Sequence, residues 1–285
     1  RNTPMTVAQA VLFGIIQGIA EFLPISSSGH LALAHNFFKI NDDNGFAFDI
    51  FLHLATLVAV CIVYYKDVWQ IIKGFFSLVK KLFTGKIKLA KGKKTNFEYG
   101  EKLFIMLVIA SLPLIPAALI EDKVEYISSY SWIIGILLVI NGAMLYISDK
   151  LVKHSESLSD SDYQKPFYIG LFQLFGVLPG ISRSGSTITG GLFFGLNRQD
   201  AVKFSFLMSI PAILGACVLK IDDFLDVGMT GKLMNTYIAG AVTAMVVGFF
   251  AIKLLQYVAK KNGFFVFSIY CIIVGITAVV ADVLI

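Results

Sequence analysis

Residues 14–30 read GIIQGIAEFLPISSSGH, and residues 170–186 read GLFQLFGVLPGISRSGS. The two stretches align without a gap at a constant offset of 156 positions, and the matching pairs include Gly14/Gly170, Gln17/Gln173, Ile25/Ile181, Ser26/Ser182, Ser28/Ser184 and Gly29/Gly185. Each copy places proline, glycine and hydroxyl residues inside a segment that is otherwise apolar. Paired interruptions in the two halves of a membrane protein predict a binding site where the repeats meet.

The composition indicates whether the chain lies in water or in a lipid bilayer. Hydrophobic residues make up 56% of the 285 residues, charged residues only 15%, and the mean hydropathy is +0.76. Soluble domains carry about 25% charged residues, so the composition predicts an integral membrane protein. The three cysteines all lie in apolar segments, which excludes a disulfide framework and a zinc site.

Hydropathy and length together predict an all-α membrane protein. A helix needs about 20 residues to cross the hydrocarbon core, and six stretches suffice, near 46–65, 102–120, 132–148, 201–219, 236–258 and 264–284. The motif regions, about 6–38 and 166–196, are broken in the middle by Leu23-Pro24 and Pro179-Gly180. We expect them to be two re-entrant helical hairpins, because broken backbone is tolerated at membrane depth only where protein or a wet cavity surrounds it.

The distribution of lysine and arginine predicts the topology. They concentrate on one side, in the lysine-rich 66–102 segment and at Lys150, Lys153, Lys165, Arg198, Lys203, Lys260 and Lys261. Such residues favour the cytoplasm, so both termini are expected outside. Three spans separate equivalent points of the repeats, which makes the topology inverted. We therefore expect a single membrane domain, 1–285, with one repeat over about 6–148, a cytoplasmic linker over 149–165 and a second repeat over about 166–285.

The net charge of +5 does not indicate nucleic-acid binding, because the charges follow a helical pattern. Between residues 66 and 84, basic and polar residues fall on one helix face and Trp69, Ile72, Phe76, Val79 and Phe83 lie elsewhere around the helix. This pattern predicts an amphipathic helix on anionic headgroups. A plain cytoplasmic loop whose lysines only set the topology is the alternative.

The chemistry is expected in the two hairpins. Glu21 and Arg183 are ionisable residues within apolar segments, which by default indicates function. Arginine binds phosphate through two parallel hydrogen bonds, and amides at a helix start favour anions. The alternative is that Glu21 and Arg183 only pair with each other and lock the halves together. The repeat aligns Ser27 with Arg183, so we expect these two side chains to face one another across one small ligand.

Histidines and amides near the motif are the further candidates. His30 follows Ser27 by three residues, close enough to act on its hydroxyl or on a leaving oxygen. Gln17 stands one helical turn before Glu21. We expect His35 and His53 to be structural or solvent-facing, and His154 lies in a polar loop without catalytic residues near it. Asn141 and Lys253 are expected to be interhelical hydrogen-bonding and snorkelling groups.

At these residues the chain resembles a known family. Gln17-x-x-x-Glu21, Leu23-Pro24-Ile25-Ser26-Ser27-Ser28-Gly29-His30, and Pro179-Gly180-Ile181-Ser182-Arg183-Ser184-Gly185 with Thr187 resemble the two signatures of undecaprenyl-pyrophosphate phosphatases. These integral-membrane enzymes are associated with bacitracin resistance. The resemblance implies hydrolysis of undecaprenyl pyrophosphate to undecaprenyl phosphate and inorganic phosphate in the bacterial inner membrane. It also implies a site open to the periplasmic or outer side and a lipid on which bacitracin also acts.

From the resemblance and from phosphoryl-transfer chemistry we expect Ser27 to be the nucleophile, Arg183 to clamp the transferred phosphate, and Glu21 and His30 to share proton transfer. The expected substrate-binding residues are Gln17, Ser26, Ser28, Gly29, Gly180, Ser182, Ser184, Gly185 and Thr187. A divalent cation, Mg²⁺ or Ca²⁺, is expected near Glu21 and Gln17. Direct attack by water stays open, as does a homodimer through small-residue spacings such as Gly191-x-x-x-Gly195. The competing function is a transporter or flippase of a lipid phosphate or another anion, because broken helices meeting at the midplane are a transporter architecture.

Overall fold

The computed structural model describes residues 5–38, 45–84, 97–150, 156–220, 231–261 and 263–284, and within these ranges the chain is helical. The described ranges hold no β-structure beyond one isolated bridge between Glu156 and Leu196, so the predicted all-α class is confirmed. The α-helices are α1 Val7–Ala20, α2 Ser27–Phe38, α3 Gly45–Val63, α4 Tyr65–Phe83, α5 Tyr99–Ser111, α6 Glu121–Ser128, α7 Ser131–Lys150, α8 Gln164–Phe175, α9 Arg183–Phe193, α10 Arg198–Leu219, α11 Gly231–Lys261 and α12 Phe265–Leu284.

Five helices of the described ranges are long and apolar enough to cross a membrane, and a sixth crossing is possible at a bent pair. The five are Tyr99–Ala117, Ser131–Lys150, Arg198–Leu219, Leu233–Lys261 and Phe265–Leu284, and the bent pair is Phe48–Val63 with Tyr65–Phe83. The predicted stretch 102–120 differs in detail, because α5 ends at Ser111 and a 3₁₀-helix continues from Leu112 to Ile120. Proline at positions 113 and 116 removes backbone donors there, which disfavours a regular α-helix.

Both motif regions form two helices around a break. In the first, α1 ends at Ala20 and α2 begins at Ser27; in the second, α8 ends at Phe175 and α9 begins at Arg183. Each break holds a proline and one residue in the left-handed region, Ser26 with φ +73° and Gly180 with φ +108°. The two helices of each motif contact each other.

The first helix of each motif packs against a helix from the other half of the chain. The first helix of motif one, α1, lies along α11, and the first helix of motif two, α8, lies along α5 and its 3₁₀ extension. Glycine permits the close approach: a Cβ on Gly18 would meet the Ala244 carbonyl at 2.8 Å, and one on Gly170 would overlap the Ala110 carbonyl. The halves are therefore interleaved.

Polar contacts gather several helix ends at one end of the bundle. Arg198 at the start of α10 pairs with Asp149 at the end of α7 (3.3 Å), and Asp149 also accepts the Phe264 amide ahead of α12 (2.6 Å). Lys203 of α10 pairs with Asp67 at the start of α4 (2.8 Å). Residues 85–96 of the predicted lysine-rich loop, residues 151–155 of the predicted linker with His154, and residues 1–4 and 285 at the termini lie outside the described ranges.

Candidate active site

The carboxylate of Glu21, in the first break, contacts side chains from both motif regions. Arg183 Nη2 donates to Glu21 Oε1 at 2.5 Å, and the Ser27 hydroxyl donates to Oε2 at 2.7 Å. Gln17 Nε2 donates to the same Oε2 at 3.2 Å from one helical turn earlier. Ser27 and Arg183, which the repeat placed opposite each other, therefore meet on one acidic group.

Burial makes this cluster energetically demanding. The side chain of Glu21 is 4% exposed and that of Arg183 is 17% exposed, and a buried charge is tolerated only when it is paired and hydrogen-bonded. The pairing that the locking hypothesis requires is present. However, Arg183 Nη1 and Gln17 Oε1 are buried without a hydrogen-bond partner in the described chain. The cluster therefore has one cationic donor and one acceptor that could bind a ligand, and a purely structural pair would not need them.

The two breaks touch directly through Ser26. Its hydroxyl accepts the amides of Gly29 (3.2 Å) and Gly180 (3.1 Å) and donates to the carbonyl of Ile181 (3.3 Å). A non-glycine residue in the left-handed region costs of order 1 kcal/mol or more, so these three hydrogen bonds hold Ser26 in a conformation it would not adopt alone. They also fix Ser27, the next residue, at the start of α2.

Asn141 of α7 forms hydrogen bonds to both breaks. It is fully buried, donates through Nδ2 to the carbonyl of Pro24 (2.9 Å), and accepts through Oδ1 from the amide of Ser182 (3.0 Å). Pro24 precedes Ser27 by three residues and Ser182 directly precedes Arg183. One amide side chain thus sets the spacing between the serine and the arginine, which agrees with its predicted interhelical hydrogen-bonding role.

The other predicted substrate-binding residues use their polar atoms inside the protein. The Ser182 hydroxyl caps α9 by accepting the Gly185 amide (3.0 Å), and it lies 3.1 Å from the Ser184 hydroxyl. Thr187 Oγ1 lies 2.6 Å from the Ser205 hydroxyl of α10. The amides of Gly29 and Gly185, expected to face an anion, are thus bonded to serine hydroxyls of their own turns. Ser28 is the exposed member of the set.

His30 lies beside the break, with both ring nitrogens engaged. Nδ1 is 2.8 Å from the Ser26 carbonyl, and because a carbonyl only accepts, Nδ1 carries the proton. Nε2 lies 2.9 Å from the hydroxyl of Tyr270, whose ring stacks on the imidazole. The predicted partner of His30, the Ser27 hydroxyl, is bonded to Glu21 instead.

His53, predicted to be structural or solvent-facing, lies near the Glu21 carboxylate. Its Nε2 lies 3.8 Å from Glu21 Oε2, the oxygen that also holds Ser27, while Nδ1 donates to the Asp49 carbonyl at 2.8 Å. Its side chain is 34% exposed. The available signal was its position within an apolar helix, which marks an ionisable residue as a functional candidate. His35, set aside with it, packs on the ring of Phe13.

The predicted metal ligands fit a cation only as part of a larger set. The described residues hold no group of three or more His, Cys, Asp or Glu side chains around one point. Glu21 and the unpartnered Gln17 Oε1 are two oxygen donors at one place. Magnesium is commonly bound in this way, by one or two protein oxygens together with substrate phosphates and water.

Comparisons with known proteins agree with one another. The family model described as "Bacitracin resistance protein BacA" matches residues 10–277. The chain is 39% identical to the undecaprenyl-diphosphatase of Alkaliphilus metalliredigens over 272 residues, 95% of this chain and 97% of that relative. It is 36% identical to that of Methanosphaera stadtmanae over 281 residues (98% and 99%) and 39% identical to that of Treponema denticola over 272 residues (95% and 96%).

Proposed function

The chain belongs to the BacA family of bacitracin resistance proteins, and we propose that it hydrolyses undecaprenyl pyrophosphate to undecaprenyl phosphate and inorganic phosphate. This reaction recycles the lipid carrier of peptidoglycan and other cell-wall polymers. The observation that carries the proposal is the hydrogen bond from the Ser27 hydroxyl to Glu21 Oε2, with Arg183 on the other oxygen of the same carboxylate. In this proposal Ser27 is the nucleophile, Glu21 its base and Arg183 the phosphate-binding cation, and the two contacts support it because they join the three side chains at one carboxylate.

In the first half of the reaction the Ser27 oxygen attacks the terminal phosphorus. The Ser27–phosphorus bond forms, the bond from phosphorus to the bridging oxygen breaks, and undecaprenyl phosphate leaves with that electron pair. The Ser27 proton passes to Glu21 Oε2, 2.7 Å away. Arg183 uses its free Nη1 and then Nη2 on the phosphate oxygens, because neutralisation of Glu21 weakens the ion pair. Charge stabilisation by arginine is a large term in phosphoryl transfer.

In the second half, water attacks the phosphoserine and the Ser27–phosphorus bond breaks. The Ser27 oxygen recovers a proton from Glu21, and a second base takes the proton of the attacking water. We assign that base to His30, whose Nε2 would exchange the Tyr270 hydroxyl for the water. Direct attack by water on the lipid pyrophosphate, with Ser27 only binding phosphate, is the competing route.

Two measurements test this assignment. Purified protein in detergent should release phosphate from a polyprenyl pyrophosphate, and brief incubation with substrate labelled in the terminal phosphate should trap label on Ser27. No release from intact substrate with added divalent ion would refute hydrolysis and favour a transporter or flippase, whose architecture the paired breaks also fit. Substantial turnover by Ser27→Ala would leave hydrolysis standing and select direct water attack.

We also propose that Mg²⁺ or Ca²⁺ accompanies the substrate, with Glu21 and Gln17 Oε1 among its ligands. A bound divalent cation would neutralise the pyrophosphate charge. Isothermal titration of Mg²⁺ should show tight uptake only with a non-hydrolysable pyrophosphate present, and Gln17→Leu should weaken it. Equal uptake by wild type and Gln17→Leu would remove Gln17 from the site.

For the membrane arrangement we propose six spans and two re-entrant hairpins in an inverted repeat, within the bacterial inner membrane, with both termini and the open site on the outer side. The shared positive end of the bundle, with Lys203, Arg198 and Lys150 at the ends of α10 and α7, supports this orientation. Cysteines introduced over 88–94 should react only from the cytoplasm. Labelling of intact cells by an impermeant reagent would reverse the topology.

Two further partners belong to the proposal. Bacitracin acts on the same lipid, so overproduction of the wild-type chain should raise bacitracin tolerance and overproduction of Arg183→Lys should not. We also propose a homodimer that packs at Gly195. Gly191 already packs within the chain, since a Cβ there would meet Ala201, whereas Gly195 has open space around it. Because Gly195 has φ +89°, which disfavours a side chain, cross-linking through a cysteine at the nearby exposed Phe193 in membranes tests that contact; a monomer under all conditions would exclude it.

A further inference from the structure

One stripe of α4 is fixed to the bundle by buried ion pairs. Lys81 Nζ lies 2.5 Å from Glu101 Oε1 of α5, and Ser77 donates to the same carboxylate at 2.6 Å. At the other end of α4, Asp67 pairs with Lys203 of α10. Glu101 has a 1% exposed side chain, so this is a packed contact. The directions of the remaining faces of α4 are thereby set.

Those remaining faces form two exposed stripes. Successive residues of an α-helix turn by about 100°, which brings the aromatic and aliphatic side chains onto one stripe and the basic ones onto the next. The apolar stripe is Tyr65, Trp69, Ile72, Phe76 and Phe83, each at least 40% exposed. The basic stripe is Lys66, Lys73 and Lys80, all exposed. A helix with these two neighbouring stripes suits a membrane surface.

The bend before α4 and its cation–aromatic pair also suit a helix on the membrane surface. α4 turns away from α3 by 93°, so it lies across the direction of that helix. Lys73 Nζ lies over the Trp69 ring at 5.4 Å, and the ends of two spans repeat the arrangement, with Lys150 over Tyr146 (4.3 Å) and Lys261 over Tyr257 (4.8 Å). Aromatic rings and snorkelling lysines mark the membrane–water interface. The Lys73–Trp69 pair of α4 is therefore of the same kind as the pairs at the ends of the two spans.

We propose that α4 is a membrane-surface helix that binds anionic phospholipid headgroups. Its apolar stripe lies at the boundary of the acyl chains, and Lys66, Lys73 and Lys80 contact the headgroup phosphates. The lysines are seven residues apart, so they form one row along the helix, and each cation near an anionic leaflet adds to the attraction. The Lys81–Glu101 and Asp67–Lys203 ion pairs connect this membrane-surface helix to α5 and α10. This inference does not depend on the hydrolytic function.

The experiment uses the full chain with Trp132→Phe, which leaves Trp69 as the single tryptophan. The protein is reconstituted in phosphatidylcholine vesicles that contain a trace of dansyl-labelled phosphatidylglycerol or dansyl-labelled phosphatidylcholine. Energy transfer from Trp69 should be stronger to the phosphatidylglycerol probe. Replacing Lys66, Lys73 and Lys80 together with Gln should lower that preference, by about fivefold per lysine, the factor that corresponds to about 1 kcal/mol per charge.

Two control variants make the result specific. Arginine at the same three positions should keep the preference, and Gln at Lys150, Lys260 and Lys261 removes three charges from the same end of the bundle and should leave the Trp69 signal unchanged. Lipids brominated near the top of the acyl chain should quench Trp69. Equal transfer to both probes, or quenching by aqueous iodide and not by brominated lipid, would overturn the proposal. Protection from both quenchers would overturn it in favour of a second copy of the chain covering α4.

Discussion

The breaks in the two motif regions share a sequence pattern but hold side chains of opposite charge. In the first break Glu21 gathers Ser27 and Gln17; at the equivalent positions of the second break stand Val177, Arg183 and Gln173. The acid and hydroxyl thus lie in one copy and the cation in the other. In the proposed mechanism neither half contains a complete site, because the acid and the cation meet only where the two halves contact each other.

The backbones of the breaks also differ. The left-handed residue is Ser26 in the first copy, while its equivalent Ser182 has an ordinary φ of −76° and caps α9. In the second copy Gly180 takes the left-handed position, two residues earlier. A repeated sequence therefore does not mean superimposable turns, because glycine accepts that conformation freely and serine needs the three hydrogen bonds described above.

The largest loss of activity is expected when the cation of the second break is replaced. Arg183→Lys keeps the positive charge but cannot hold Glu21 and a phosphate through one planar fork, so kcat/KM should fall by about 10⁴-fold, within the range found for catalytic arginines. Phosphate release in detergent measures it. Arg198→Lys, at the Asp149 ion pair away from the breaks, should stay near wild type. Mild impairment of Arg183→Lys would mean that only its charge matters.

The acidic side should be nearly as sensitive. Glu21→Gln keeps the shape but removes the proton acceptor for Ser27, so kcat should fall by about 10³-fold, in the middle of the range for general acid–base groups. Glu101→Gln is the matched control, since it also neutralises a buried carboxylate paired with a cation. It should lose stability and keep kcat. If both variants lost turnover equally in folded protein, Glu21 would have no special chemical role.

The two histidines beside the first break should rank in a definite order. His30→Ala removes the base assigned to the attacking water and should lower kcat by about 10²-fold, the lower end of the same range. His53→Gln should have a smaller effect and His35→Ala none. Steady-state rates on the three variants settle the order. A larger loss in His53→Gln than in His30→Ala would transfer the proton-accepting role to His53, which lies nearer Glu21.

A smaller effect is expected from loosening the two breaks. Asn141→Leu leaves the Pro24 carbonyl and the Ser182 amide without their partner, so the spacing of Ser27 and Arg183 relaxes and kcat/KM should fall about 10-fold; misplacement by about 1 Å can cost more. Asn36→Leu, which removes bonds to Ser128 and Ser131 elsewhere, should keep activity. In the Arg183→Lys background the Asn141 substitution should add little, because both act on one geometry. Full additivity would make Asn141 a general packing residue.

Local signals explain what the sequence could predict. The repeat and its prolines were enough to place both breaks and to bring Ser27 and Arg183 together, because a gapless offset fixes equivalent positions. His53 escaped prediction because its contact with Glu21 depends on how α3 rotates against α1, which no single segment encodes. The hydrogen bonds from the Gly29 and Gly185 amides to serine hydroxyls were not predicted either, since a serine hydroxyl competes with a ligand for the same amide.

The smallest effects are expected at the two equivalent glutamines. Replacing Gln17 should lower activity, whereas replacing Gln173 should raise stability. Gln17 donates to Glu21, so Gln17→Leu should lower kcat a few-fold by freeing that carboxylate. Gln173 is fully buried, and neither amide atom has a hydrogen-bond partner among the described residues; a buried unsatisfied group costs about 1–3 kcal/mol. Gln173→Leu should therefore raise the thermal unfolding temperature in detergent and leave kcat unchanged. A stabilising Gln17→Leu that keeps turnover would contradict a functional role of Gln17, and a Gln173→Leu that loses turnover would show that the second copy contributes more than its arginine.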